Sequence, residues 1–206
     1  MELMNEYATP AMVRTGKTSV ASDQEASWIS ACQHGDAMAF NRLVLKWEKT
    51  VYNIALRLLV DREEASEATQ EVFLLTFKNI RRFRRDSKFS TWLYRIALNH
   101  CLTRLKQRPP GTHLSLEDQG DTANPAPQLS VPETQVSELV RREERQLVLK
   151  ALSHLPPEQK AVIELKFFQE LKFEEIAAIL EIPLSTIKSR LYTGMETLKI
   201  RLEAQS

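Results

Sequence analysis

The chain reads as all-α, two small helical domains joined by a flexible, acidic, proline-containing linker. Three observations predict this. Apolar residues recur at three- and four-residue spacing through most of the 206 residues. No segment alternates strongly enough to insist on a strand. Between Pro109 and Gln135 there is no Lys or Arg, and Pro109, Pro110, Pro125, Pro127 and Pro132 break any regular element. The helical pattern is therefore cut in two.

Residues 1–24 mix Thr, Ser, Ala and Met without periodicity and are expected to form a flexible tail. The first helical domain is expected over residues 25–107. Gly35-Asp36 predicts a break between a short first helix and a long second one. The long helix sets Phe40, Leu43, Val44, Trp47, Val51, Ile54, Ala55 and Leu58 on one side. DREEASEATQEVFLLTFKNI follows. It opens on Asp61 with Glu64 three residues later, the spacing of a capping box with Asp as the cap. Val72, Phe73, Leu75 and Phe77 supply its apolar side. A last helix ends near Gln107, and the linker, residues 108–136, carries Glu117, Asp118, Asp121 and Glu133.

Helical periodicity returns over residues 137–206. LPPEQKAVIELKFF begins on prolines suited to a helix start. FEEIAAILEIPLSTIKSRLYTGMETLKIRL then reads as helix, short turn, helix. Ile176, Ala177 and Leu180 line the first helix, Ile182 fills the turn, and Ile187 and Leu191 anchor the second.

The totals exclude several classes. Five glycines, with no G-x-G-x-x-G or Walker loop, argue against a phosphate-binding fold. Cys32 and Cys101 sit in helical patterns without C-x-x-C spacing, as buried reduced thiols do. His34, His100, His113 and His154 lie far apart, so no metal or other cofactor is expected. No apolar run approaches the roughly 20 residues of a membrane span, and no signal-peptide core is visible. The expectation is a cytoplasmic protein without membrane insertion.

Net charge is only +1, so any nucleic-acid signal must lie in its distribution. Between Lys78 and Arg108 ten bases face Asp86 alone. On a helix over residues 92–105, Tyr94, Ala97, Leu98, Cys101, Leu102 and Leu105 form an apolar arc, while Trp92, Arg95, Asn99 and Thr103 fall opposite. Cations beside exposed rings suit a single-strand reader, because unstacked bases lie flat on aromatic faces while cations follow the backbone. Phe83, between two arginine pairs, is placed to wedge against an extruded base. Phe83, Phe89 and Trp92 equally satisfy a core beneath a solvated basic face, and for any one ring the pattern does not separate the two.

The preceding helix has the opposite sign, with Asp61, Glu63, Glu64, Glu67 and Glu71 facing only Arg62 before Lys78. Acids at a helix start complement its dipole. At this density, with Gln70 and Phe73, they also suit docking to a basic protein surface. In the C-terminal hairpin, Ser185, Thr186, Lys188, Ser189, Arg190 and Tyr192 are the outward polar residues that a recognition helix presents to a major groove. A plain helical hairpin with a solvated face fits the same pattern, and Glu181 stands where the turn would favour Gly.

In this order the motifs resemble the extracytoplasmic-function (group IV) sigma factors of the sigma-70 family. DREEASEATQEVFLLTF resembles region 2.2, KFSTWLYRIALNHCLTRL regions 2.3–2.4, and LPPEQKAVIELKFFQELKFEEIAAILEIPLSTIKSRL region 4. The resemblance runs from about Glu25 to Leu202, apart from the linker. It implies a non-enzymatic specificity subunit of RNA polymerase, active in a stress or envelope response. Asp61, Glu64, Glu67, Gln70, Glu71 and Phe73 would dock on the β′ clamp helices of core polymerase, and region 4 would meet the β flap. Phe83, Arg84, Arg85, Ser87 and Lys88 would capture a flipped base of the promoter −10 element, with Trp92, Arg95 and Asn99 beside it. Ser185, Thr186, Lys188, Ser189, Arg190 and Tyr192 would read the −35 element as duplex. An anti-sigma factor is the further partner implied.

Three positions depart from the family pattern. Ser66-Glu67 stands for an acidic pair, Ser185 for a frequent Gly, and Thr193, Gly194 and Met195 for further arginines. Two other readings compete. A one-component regulator explains the hairpin but not the basic-aromatic face. A nucleic-acid enzyme lacks paired carboxylates near a Lys, metal spacing and a nucleophile elbow.

Overall fold

Residues 18–108 and 146–203 are described by a computed structural model, and among them every regular element is helical. The tail expected over residues 1–24 lies outside the described residues up to residue 17, and the linker does so from residue 109. The first domain comprises α1 (Thr18–Gln33), α2 (Ala37–Leu59), α3 (Arg62–Asn79), a 3₁₀ turn (Ile80–Arg82) and α4 (Phe89–Gln107). Helix α1 therefore starts seven residues before the periodic pattern does. Its first turns, TSVASDQ, carry no apolar stripe for periodicity to detect.

The break at Gly35-Asp36 is real and has a local cause. Gly35 sits at φ +99°, a region that favours glycine. Asp36 Oδ1 accepts hydrogen bonds from the Met38 and Ala39 amides at 2.8 and 3.1 Å, capping α2. Asp61 caps α3 in the same way, accepting from the Glu64 amide at 2.8 Å.

Helix α2 buries Phe40, Leu43, Val51, Ile54, Ala55 and Leu58 as its spacing predicts, with Val44 and Trp47 half-buried. Helix α3 differs from expectation. Its buried stripe is Ala65, Ala68, Thr69, Val72, Phe73 and Thr76, while Leu75 and Phe77, expected on the apolar side, are exposed. The two threonine hydroxyls are satisfied within the helix, donating to Ala65 O at 2.6 Å and Val72 O at 2.7 Å. Small side chains let α3 approach α2 closely, and hydropathy does not mark such a stripe.

The second domain comprises a helical segment over residues 146–153 (α5), α6 (Pro157–Ile163), a π-helical turn (Glu164–Phe168), α7 (Phe173–Leu180) and α8 (Leu184–Glu203). Its core holds Ile163, Leu165, Ile176, Ile179, Ile187 and Leu198. Glu181 ends α7 in the left-handed conformation, φ 56°, so a glutamate performs the turn usually left to glycine. Gly194 explains one departure from the family pattern. A Cβ there would lie 2.9 Å from Ile163 Cδ1 and 3.4 Å from Gln159 Cβ, so any side chain must displace the buried Ile163 side chain where α8 crosses α6.

Helices α6 and α7 pack against α2 and α4, bringing the two domains into contact. No helix among the described residues is long and apolar enough to cross a membrane.

Candidate nucleic-acid interface

The basic loop before α4 is held from behind. Gln33, at the end of α1, donates its Nε2 to Ile80 O at 3.2 Å and Phe83 O at 2.8 Å. Arg85, at φ +60°, donates to Ala26 O at 3.2 Å. The C-terminal half of α1 thus fixes the loop, and Arg84, Asp86, Ser87 and Lys88 stand exposed in front of it. The role of Gln33 was invisible in the sequence because its partners lie about fifty residues away.

Phe83 requires a correction. It is 7% exposed, with its ring centroid 5.7 Å from Phe89 and 5.1 Å from Trp92. Trp47 extends the cluster to Tyr94 and Phe89, at 6.0 and 6.3 Å. Between two arginine pairs, the one apolar residue turns inward because burying a ring is worth kilocalories and the arginines remain solvated. Phe83 therefore belongs to the core in this arrangement and does not stand free to stack on a base. Trp92 is half-buried, Arg95 half-exposed and Asn99 exposed. Burial pushes the Tyr94 hydroxyl and the Cys101 thiol up to about 12, which leaves Cys101 inert as expected for a structural thiol.

Arg104 and Arg108, at the far end of α4, serve another purpose. Arg104 meets Glu67 at 3.1 Å and Glu71 at 3.4 Å, and Arg108 bonds Glu64. His100 Nε2 lies 2.7 Å from Glu71. The acids of α3 thus zip to the C-terminal half of α4 within one domain. Phe73 is buried and Asp61 is a nearly buried cap. Among the residues that α3 exposes, Glu63, Ser66, Gln70, Leu74 and Phe77 form one stripe at helical spacing, with Leu74 59% and Phe77 48% exposed. Of the docking residues expected here, Gln70 lies on this stripe, Glu67 is exposed beside it while paired with Arg104, and Phe73 is buried.

On α8, Ile187 and Leu191 face inward, while Ser185, Lys188, Ser189 and Tyr192 are exposed and Thr186 and Arg190 half-buried. Phe173 lies under both Lys166 and Lys188, whose ammonium groups are 4.7 and 5.8 Å from its ring centroid. Hydroxyls and a cation therefore share the first turns of a helix buttressed by a hairpin partner. This arrangement can enter a major groove without disturbing the core.

Residues 43–109 match the family Sigma-70 region 2, and residues 145–198 match Sigma-70, region 4. The chain is 30% identical to the RNA polymerase sigma-H factor of Pseudomonas aeruginosa over 191 residues, 89% of this chain and 96% of that protein. It is 33% identical to the ECF RNA polymerase sigma factor SigW of Bacillus subtilis over 176 residues, 84% of this chain and 94% of that protein. Among solved structures, CnrH in complex with the cytosolic domain of CnrY superposes with a TM-score of 0.64 at 19% identity, covering 89% of this chain and all of that one. The sigma factor RpoE of Bartonella quintana, in complex with the anti-sigma factor NepR, gives 0.58 at 20% identity, covering 81% of this chain and 98% of that one. The chain belongs to the extracytoplasmic-function sigma factors of the sigma-70 family, which are promoter-specificity subunits of RNA polymerase rather than catalysts.

Proposed function

We propose that this sigma factor docks on the β′ clamp helices of core polymerase through the exposed stripe of α3, with Gln70, Leu74 and Phe77 at its centre. Docking presents the face made by Arg84, Ser87, Lys88, Trp92, Arg95 and Asn99 to the non-paired strand of the −10 element. Cations follow the phosphates, Trp92 offers a ring edge and Asn99 an amide for base edges. Unstacking a base costs a few kcal/mol, and stacking returns about 1–3 kcal/mol per base. The first turns of α8, with Ser185, Thr186, Lys188, Ser189, Arg190 and Tyr192, read the −35 duplex while region 4 rests on the β flap.

The observation that carries this reading is the run of exposed basic and polar residues Arg84–Lys88 beside Trp92 and Asn99, fixed on one end of the first domain by Gln33. The chain supplies no catalytic group of its own. Core polymerase performs the chemistry, in the cytoplasm. Since CnrH and RpoE were solved bound to CnrY and NepR, an anti-sigma factor is the controlling partner that this reading includes.

The test is in vitro transcription of sheared genomic DNA by bacterial core polymerase, with and without the protein. New transcripts with discrete start sites support the assignment and define the promoter. Absence of such transcripts, together with tight duplex binding by the protein alone, overturns it in favour of a polymerase-independent regulator.

A further inference from the structure

Helix α1 holds the basic loop by two ties. Gln33 Nε2 donates to Ile80 O at 3.2 Å and Phe83 O at 2.8 Å, the carbonyls on either side of the passage from the 3₁₀ turn into the loop. Two residues on, Arg85 turns its guanidinium away from the outer face and back to Ala26 O at 3.2 Å. Ala26 and Gln33 are seven residues apart, so both ties leave one face of α1. Beside them, Glu25 Oε1 accepts the Trp47 indole N–H at 2.8 Å, and the Trp47 ring lies 6.3 Å from that of Phe89, the first residue of α4.

The loop itself has little to hold its shape. Among the described residues, Arg84 to Ser87 enter no backbone-to-backbone hydrogen bond, and all four are exposed. Arg85 stands at φ +60°, a conformation that side-chain-bearing residues seldom adopt. A segment of this kind samples many conformations unless something outside it restricts them. Beyond the buried ring of Phe83, that restriction comes from α1.

We propose that α1 is a working part of the −10 reader and that Gln33 is its positioning residue: the amide holds the loop in the shape that captures an unpaired base, without touching DNA. This rests on the assignment of Arg84, Ser87, Lys88 and Asn99 to the −10 strand. Arg85 belongs with Gln33 as an anchor and not with the contacts to DNA. A loop that takes the capture shape for only part of the time captures in proportion to that fraction. Losing two hydrogen bonds of ordinary net strength lowers the fraction by about ten- to thirtyfold. Core docking through Gln70, Leu74 and Phe77 lies outside the clasp and stays as it was.

The experiment uses holoenzyme reconstituted from bacterial core polymerase and the full chain, on a promoter found by the transcription assay above. Fluorescence of 2-aminopurine in the non-template −10 strand reports opening, and core affinity is measured separately. Gln33→Met keeps the side-chain length and loses both donors. Gln33→Lys changes the head group and restores N–H donors toward the two carbonyls. The Met variant is expected to bind core like wild type and to lower the opening equilibrium by about ten- to thirtyfold. The Lys variant should recover most of that loss. Arg85→Gly suits φ +60° and removes the second tie, so it should lower opening with the salt dependence unchanged.

Unchanged opening in Gln33→Met overturns the positioning role. So does an equal fall in core affinity and opening, or a Lys variant as impaired as the Met variant. A flatter salt slope in Arg85→Gly returns Arg85 to the phosphates. Asn99→Ala in the same assay tests the assignment beneath. If it lowers opening while Gln33→Met does not, the −10 reading stands and only the clasp has failed. If neither lowers opening, the −10 reading itself has failed.

Discussion

Phe83 and Glu170 show what single residues decide. Flanked by arginines, Phe83 has the sequence context of an exposed wedge, and its burial against Phe89 and Trp92 depends on rings placed by a later helix. Phe83→Ala should therefore lower the stability of the first domain by about 3–5 kcal/mol, read as a shift in its thermal or denaturant midpoint. A variant that melts like wild type yet fails in promoter opening would return Phe83 to base capture. Glu170 is exposed at φ 53°, where an L side chain costs about 1–2 kcal/mol that glycine avoids. Glu170→Gly should raise the melting temperature of the second domain by a few degrees, for a gain of up to about 1 kcal/mol after the extra unfolded-chain entropy. Neither effect was legible beforehand, because side-chain pattern does not report backbone handedness or the direction a lone ring turns.

Helices are where the sequence speaks most clearly, and its silences have identifiable causes. The spacing of Phe40, Leu43, Val51, Ile54 and Leu58 foretells α2 because large apolar groups mark its buried face. Helix α3 hides its contact stripe in Ala, Thr and Val, so the visible apolar residues Leu74 and Phe77 are those left in solvent. Helix α8 hides a constraint of another kind. Gly194 stands in mid-helix, where propensity alone would favour alanine by about 1 kcal/mol. Its crossing with Ile163 leaves little room for a side chain, and Gly194→Leu should overpack the α6–α8 contact and cost about 1–3 kcal/mol, measured by denaturant unfolding. The candidate site was legible in part for the same reasons. The exposed positions of Arg84, Lys88, Asn99 and Lys188 follow from spacing, while the clasp of Gln33 and the pairing of Arg104 and Arg108 join residues that only folding brings together.

For the whole molecule, the least legible feature is the contact between domains, since Arg57 and Glu164 are separated by more than a hundred residues and an intervening tether. Lys160 makes that contact pH-dependent. Burial, reinforced by Arg108, lowers its ammonium pKa from 10.5 to about 8. The unfolded chain therefore holds more protons than the native one between about pH 8 and 10.5, and stability attributable to this group rises with pH across that window. Its burial penalty is fully present below pH 8. Relative to wild type, Lys160→Met should lose this rise, a difference on the order of 3 kcal/mol, in denaturant midpoints collected from pH 7 to 10. A different consequence follows from the pairing of Glu64, Glu67 and Glu71 with Arg108, Arg104 and His100. Because Glu64, Glu67 and Glu71 of α3 find their partners on and just after α4, α3 and α4 form the smallest transplantable unit. A chimera that imports α3 alone would strand three carboxylates against foreign side chains, whereas one that imports both helices carries their partners with it.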